Sequence, residues 1–350
     1  MPRSPLVIGG QTIEPGGHYT VDIPVAPMYT HDNLSISVKV ISGKRPGPVL
    51  FVCAAIHGDE INGVEIIRRL LKDPQLKRLK GTLIAIPIVN VYGFINHTRY
   101  LPDGRDLNRS FPGSSRGSLT GRIAHTFMQE IVAHCSHGID LHTGARHRSN
   151  FPQIRANLED EATLAMTEAF GAPLAIDAKI RDGSLRGAAG DMGVPVLLYE
   201  SCEALRFDEI YIRAGVKGVL NVMRHLGMLR RSRARALKKP LISRNTHWLR
   251  APESGILRVL VALGAEVQAG QIIGFIADPL GTSEVDVVAE SPGIVIGRTN
   301  LPLVYEGDAL FHIAEVDRRR KWEVEAFHED YQPDEHELDP EDLSSAPIAD

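Results

Sequence analysis

The sequence predicts an α/β fold built on a large sheet with helices on both faces, followed by a smaller all-β domain. Three observations predict it. Continuous apolar runs, which suit strands buried on both faces, alternate with segments of helical spacing over the first two thirds of the chain. After about residue 228 the helical period disappears and strand-and-turn sequence takes over. Within that later stretch, short motifs recur at an offset of about 37–38 residues, as two similar β-halves would require.

Residues 1–45 are rich in Gly, Pro and alternating β-formers, and 34–40 (LSISVKV) alternates as a half-buried strand does. This segment is expected to join the α/β domain, placed at 46–230. There, 48–56 (PVLFVCAAI) reads as a buried strand, and 63–71 carries Val64, Ile67, Leu70 and Leu71 at helical spacing. Residues 82–89 (TLIAIPIV) make a second buried strand. A helix over 121–135, a short strand over 138–141 and a helix over 158–170 follow. The strand 195–199 (PVLLY) and a helix over 208–226 complete the unit. Strands alternating with helices in this way predict a mostly parallel sheet.

The run 229–239 (LRRSRARALKK) ahead of Pro240 reads as a solvated helix end, with a basic linker at 231–245. The β-module spans 246–316. Its echo pairs Ser254-Gly255-Ile256-Leu257 with Pro292-Gly293-Ile294-Val295, Gly270 with Gly307, and Ile276-Ala277 with Ile313-Ala314. The pattern resembles the barrel-sandwich fold of biotinyl/lipoyl carriers. A carrier needs a lysine at its exposed hairpin, and none occurs from 240 to 320. The remaining segment, 317–350, is an acidic tail expected to be disordered.

Composition narrows the function. The chain has 350 residues, 43% hydrophobic and 23% charged, as a soluble globular protein has. No apolar run reaches the ~20 residues of a membrane helix. The N-terminus lacks a secretory pattern, and three widely spaced cysteines do not make a disulfide framework. A cytoplasmic protein without membrane contact is expected. The net charge of -4 argues against nucleic acid as a partner. Without the eleven acidic residues of 323–350, however, the rest of the chain carries a net +7, which suits an anionic substrate. Fourteen histidines direct attention to metal chemistry.

Four motifs carry chemistry. His57-Gly58-Asp59-Glu60 directly follows the 48–56 strand, at the strand end where open α/β sheets bind ligands. An imidazole and a carboxylate three residues apart can face one zinc ion. Taken alone the pair is a weak signal, since Glu60 could simply favour a helix N-terminus. Asp140-Leu141-His142 ends another strand, with His142 as a third ligand candidate and Asp140 as a carboxylate behind a ligand imidazole. Arg105-Asp106-Leu107-Asn108-Arg109 concentrates charge between two sheet elements, and Asn108 with Arg109 can hold a carboxylate. Glu200 ends the 195–199 strand, where a carboxylate costs energy unless paired or functional.

His57-x-x-Glu60, Asp106-Leu107-Asn108-Arg109, Asp140-Leu141-His142 and Glu200, in this order, resemble the succinylglutamate desuccinylase/aspartoacylase family of the zinc carboxypeptidase-like (M14-type) fold. The resemblance covers about 30–230. It implies a mixed sheet flanked by helices, and one zinc held by His57, Glu60 and His142. It implies Glu200 as general base and acid, Asn108 and Arg109 on the substrate carboxylate, and Arg99 polarising the scissile carbonyl. The implied activity is metal-assisted hydrolysis of the amide bond of a small N-acyl amino acid. Two other readings remain: carboxypeptidase-like trimming of a peptide, and a binding protein without activity. A homo-oligomer stays open.

Overall fold

The computed structural model describes residues 5–27, 33–231, 239–316 and 324–332. Ten strands form the path of the main sheet: β1 (His18–Pro27), β2 (Asn33–Ser42), β3 (Arg45–Ala54), β4 (Lys80–Ile86), β5 (His137–Gly144), β6 (Arg148–Ala156), β7 (Val196–Glu203), β8 (Asn245–Arg250), β9 (Gly293–Thr299) and β10 (Ala309–Glu315). Their spatial order is β8-β10-β9-β6-β7-β5-β3-β4-β2-β1. The four central strands, β7, β5, β3 and β4, run parallel. Both flanks are antiparallel: β2 and β1 on one side, β6 and the C-terminal strands on the other. The sheet is therefore mixed, and the mostly parallel expectation holds only for its centre.

The central strands are apolar on both faces because helices cover both. On one face, α1 (Asn62–Leu70), α3 (Glu161–Phe170) and α5 (Glu209–His225) enclose Val52, Ala54, Ile66, Ile67, Leu141, Leu197 and Val219. On the other face, α2 (Leu119–Glu130) lays Phe127 and Ile123 over Phe51 and Ile84. Three of these helices, α2, α3 and α5, start where an oxygen side chain caps free backbone donors; α1, preceded by Ile61, has no side-chain cap. Ser118 accepts from the amide of Gly121, Asp160 from Thr163 and Asp208 from Tyr211. A short helix, α4 (Leu185–Asp191), precedes β7 and is capped by Ser184.

β6 escapes the sequence pattern. Its residues RSNFPQIRA interleave Pro152, Gln153 and two arginines with apolar groups, so no clean period survives. It is nevertheless largely buried, since it pairs with β7 on one side and β9 on the other.

The C-terminal β-rich region continues the main sheet. Gly297, Arg298 and Thr299 of β9 pair with Asn150, Ser149 and Arg148 of β6. A second, four-stranded sheet (Gly255–Val259, Ile272–Ala277, Glu284–Val288, Leu303–Val304) shares a core with these strands through Leu257, Ile276, Val295 and Ile313. The sequence echo has a structural counterpart in register. Ile256 faces Ala277 and Leu257 faces Ile276 in one half; Ile294 faces Ala314 and Val295 faces Ile313 in the other.

Of the basic linker, 232–238 lies outside the described residues, as do 317–323 and 333–350 of the acidic tail. Between the last two, 324–331 forms helix α6 (Val324–Tyr331), whose Phe327 is buried beside Phe151 at a ring distance of 5.6 Å. Part of the segment expected to be disordered is thus anchored, because Phe327 and Tyr331 supply apolar surface within an acidic sequence. Among the described residues, no helix is long and apolar enough to cross a membrane.

Candidate active site

The site lies beyond the C-terminal ends of the parallel strands. After Ala54 the chain turns sharply, with Ala55 in the left-handed region at φ 52°. His57 then accepts the amide of Glu60 at 3.1 Å, closing a turn that folds the two side chains together. Gly58 permits this turn to lie against the helical turn Val91–Ile95. A Cβ there would stand 2.0 Å from the carbonyl carbon of Gly93. Asn90 caps that turn through Gly93 and also donates to the carbonyl of Arg99, which fixes the arginine segment beside the site.

Glu60 is the centre of the cluster. One carboxylate oxygen meets Nδ1 of His57 at 2.7 Å, and the other meets Nδ1 of His142 at 2.6 Å. The backbone amide of Thr143 donates to Glu60 at 3.2 Å. All three side chains are at least 95% buried, and their ligand-type atoms lie within 4.8 Å of one another. The far ring nitrogens are held too. His142 Nε2 meets Asp140 at 2.8 Å, the arrangement expected of a carboxylate behind a ligand imidazole. His57 Nε2 meets Asp106 at 3.2 Å. Two imidazoles, a carboxylate and two outer carboxylates form a donor set that fits zinc.

The electrostatics are those of a tightly coupled cluster. Burial alone would lift the Glu60 carboxyl, but His57 and His142 outweigh it and hold it well below the usual carboxylate range. Burial would push both imidazoles down; Glu60 and Asp106 reverse this for His57, and Asp140 and Glu60 reverse it for His142. Asp106 is likewise held low against burial by His57 and Arg99.

Glu200 stands next to His142 in the sheet. The two are paired across β7 and β5, and Gln153 of β6 is the partner of Glu200 on its other side. One row thus carries His142, Glu200 and Gln153 on one face. Glu200 accepts from Arg155 at 3.3 Å. Gln153 is fully buried, donates to the carbonyls of Phe151 and Ile296, and its Oε1 has no partner among the described residues.

The other expected residues take distinct positions. Arg99 pairs with Glu60 at 3.1 Å and Asp106 at 2.9 Å, so it contacts the cluster itself. Asn108 is buried, and its side-chain oxygen accepts the amide of Leu185 at the start of α4. Arg109 is exposed and makes no ion pair among the described residues; its guanidinium donates to the carbonyl of Asn108. The sequence assigns no role to Asp106, Arg155 or Arg181. Arg181 also makes no ion pair among the described residues; burial and the nearby Arg109 and Arg155 lower its pKa. The interrupted strand around Arg155 was the available signal, since a charge amid buried positions needs a partner. Arg181, in a loop, left none.

These features have counterparts in known proteins. Residues 46–226 match the family model described as succinylglutamate desuccinylase/aspartoacylase catalytic domain. The chain is 29% identical over 304 residues to the N-alpha-acetyl-L-2,4-diaminobutyric acid deacetylase of Halomonas elongata, covering 81% of this chain and 86% of that protein. A succinylglutamate desuccinylase/aspartoacylase from Rhodobacter sphaeroides is similar in structure, with a TM-score of 0.75 and 26% identity, covering 86% of this chain and 96% of that one. The product-bound ectoine utilization protein EutE (DoeB) from Ruegeria pomeroyi is similar at a TM-score of 0.75 and 25% identity, over 85% of this chain and 94% of that one.

Proposed function

The chain belongs to the succinylglutamate desuccinylase/aspartoacylase family, and from that premise we propose which residues carry its hydrolysis of the amide bond of an N-acyl amino acid. His57, Glu60 and His142 hold a single zinc through the side chains that already converge. When bound, zinc supplies Lewis acidity, lowering the pKa of a water from about 15.7 toward 7. Glu200 takes a proton from the attacking water and returns it to the leaving nitrogen, so that an acid and a free amine result. The observation that carries this assignment is the direct lateral pairing of Glu200 with His142.

Arg109 binds the substrate carboxylate, for which its guanidinium is free of ion pairs among the described residues. Asn108 supports it by tying the Arg109 turn to α4. Arg99 holds Glu60 and Asp106 in place and presents positive charge to the developing oxyanion. The C-terminal region serves as a barrel-sandwich module that walls the cleft beside β6. The enzyme works in the cytoplasm, which three free cysteines suit. The test is a screen of zinc-loaded protein against N-acetyl, N-succinyl and N-formyl amino acids and short peptides, with amine release as readout. Release from N-acyl amino acids and not from peptides is expected. Preferential trimming of peptides would overturn the substrate assignment.

A further inference from the structure

At the opposite end of the parallel strands, near the N-terminal ends of β3 and β4, lies a surface cavity of 540 Å³. Its lining includes Lys44, Arg45, Lys77, Arg78, Lys80 and Arg230, and no carboxylate. None of these six forms an ion pair among the described residues. A protein of net charge -4 has ample acidic residues to neutralise such a group, yet none lines the cavity. Six cations gathered without counter-charge repel one another, and an anion relieves that repulsion.

The cavity is built from segments distant in sequence and pinned together. The amide of Gly16 donates to Ser42 at 2.8 Å, Gly43 to Gly81 at 2.8 Å, and Lys80 to Met228 at 2.9 Å. The loops approach so closely that a Cβ on Gly43 would stand 2.1 Å from the carbonyl oxygen of Leu79. Gly16 leaves room for the stem of Lys44, whose Cγ would be 2.9 Å from a Cβ there. The backbone segments that carry these exposed cations are thus tied to one another. The volume is within the ~300–1,000 Å³ of small-molecule sites. β3 runs from Arg45, at this cavity, to Ala54, beside the catalytic cluster. At ~3.3 Å per residue, the two sites are about 30 Å apart.

We propose that this cavity binds a small molecule bearing a pyrophosphate or longer phosphate chain, at a site separate from the catalytic one. Lysines serve as point charges and arginines as forked donors to phosphate oxygens. The roughly two to three negative charges on adjacent phosphates match the density of cations here, which a single carboxylate does not.

The test is isothermal titration calorimetry of the full-length zinc-loaded protein with inorganic pyrophosphate. Saturable single-site binding is expected, weakened about tenfold or more in Lys44→Gln/Arg78→Gln. Both residues are exposed, so that variant should fold, and its amide hydrolysis should match the unaltered protein. Arg109→Ala should retain pyrophosphate binding. Absence of saturable binding would overturn the proposal. So would binding that survives Lys44→Gln/Arg78→Gln and is lost in Arg109→Ala. Displacement of pyrophosphate by a single-stranded oligonucleotide at far lower concentration, with steep salt dependence, would assign the face to nucleic acid instead.

Discussion

Glu200 and His142 are direct partners in the parallel ladder between β7 and β5, so their side chains leave the same face of the sheet side by side. The relationship is set by strand register, which a slip of one residue would reverse. The cluster therefore depends on the buried apolar residues that fix this register, among them Leu197 and Tyr199 opposite Ile139 and Leu141.

The metal ligands and their outer carboxylates should separate in titrations with a competing chelator. His57→Ala and His142→Ala should bind no zinc that survives gel filtration. Asp140→Asn keeps the ligands but loses the charge behind His142, and should weaken zinc affinity by about 10–100-fold. An Asp140→Asn protein with unaltered zinc affinity would show that this carboxylate does not tune the site.

Two glycines should respond in opposite directions to alanine. At Gly58 the new Cβ meets backbone of the Val91–Ile95 turn, which cannot yield cheaply, and a loss of about 2 kcal/mol or more is expected. At Gly190, within α4, a Cβ meets nothing within 4 Å, and a gain of roughly 0.5–1 kcal/mol is expected. Denaturant titration of both variants checks this.

Acid stability should depend on an ion-pair network between α1 and α5. Arg68, then Arg69, lowers the pKa of Glu65 against the cost of burial; Arg69, then Arg213, does the same for Glu209. A carboxyl whose folded pKa is depressed stabilises the fold above its unfolded pKa of ~4.3, and that stability is lost as pH falls through the folded value. Glu65→Gln should therefore lower the melting temperature at pH 7 and flatten its fall below about pH 4.5. Equal pH slopes for variant and parent would contradict this.

Arg109→Ala should raise KM for an N-acyl amino acid about tenfold or more, while kcat falls less, since a carboxylate remote from the scissile bond contributes mainly to binding. Steady-state kinetics on an N-acyl amino acid and its carboxamide analogue make the check. The variant should lose the preference for the free carboxylate.

Much of this was legible in the sequence because buried parallel strands and helices announce themselves by period. The 48–56, 82–89 and 195–199 runs fall within or overlap β3, β4 and β7. His57, Glu60 and His142 were legible as strand-end residues, and the structure brings them within ligand distance of one another. What escaped did so for physical reasons. β6 is buried by neighbours on both sides while its sequence looks polar, and it carries Gln153 into the row of Glu200 and Arg155 into hydrogen-bond reach of it. Asp106 caps the turn at 107–109 through the amide of Asn108, and it also holds His57 and Arg99. A dual use of one carboxylate leaves no trace in spacing. The basic cavity was invisible as well, because its cations come from three separate segments, 44–45, 77–80 and 230, that only the folded chain unites.

The most direct test of the account is Glu200→Gln, with zinc content by elemental analysis and kcat on an N-acyl amino acid measured on the same preparation. The amide is isosteric but cannot accept the proton. Unchanged zinc with kcat reduced by about 10²–10⁴-fold is the predicted result. Retention of the parent kcat with zinc in place would contradict it.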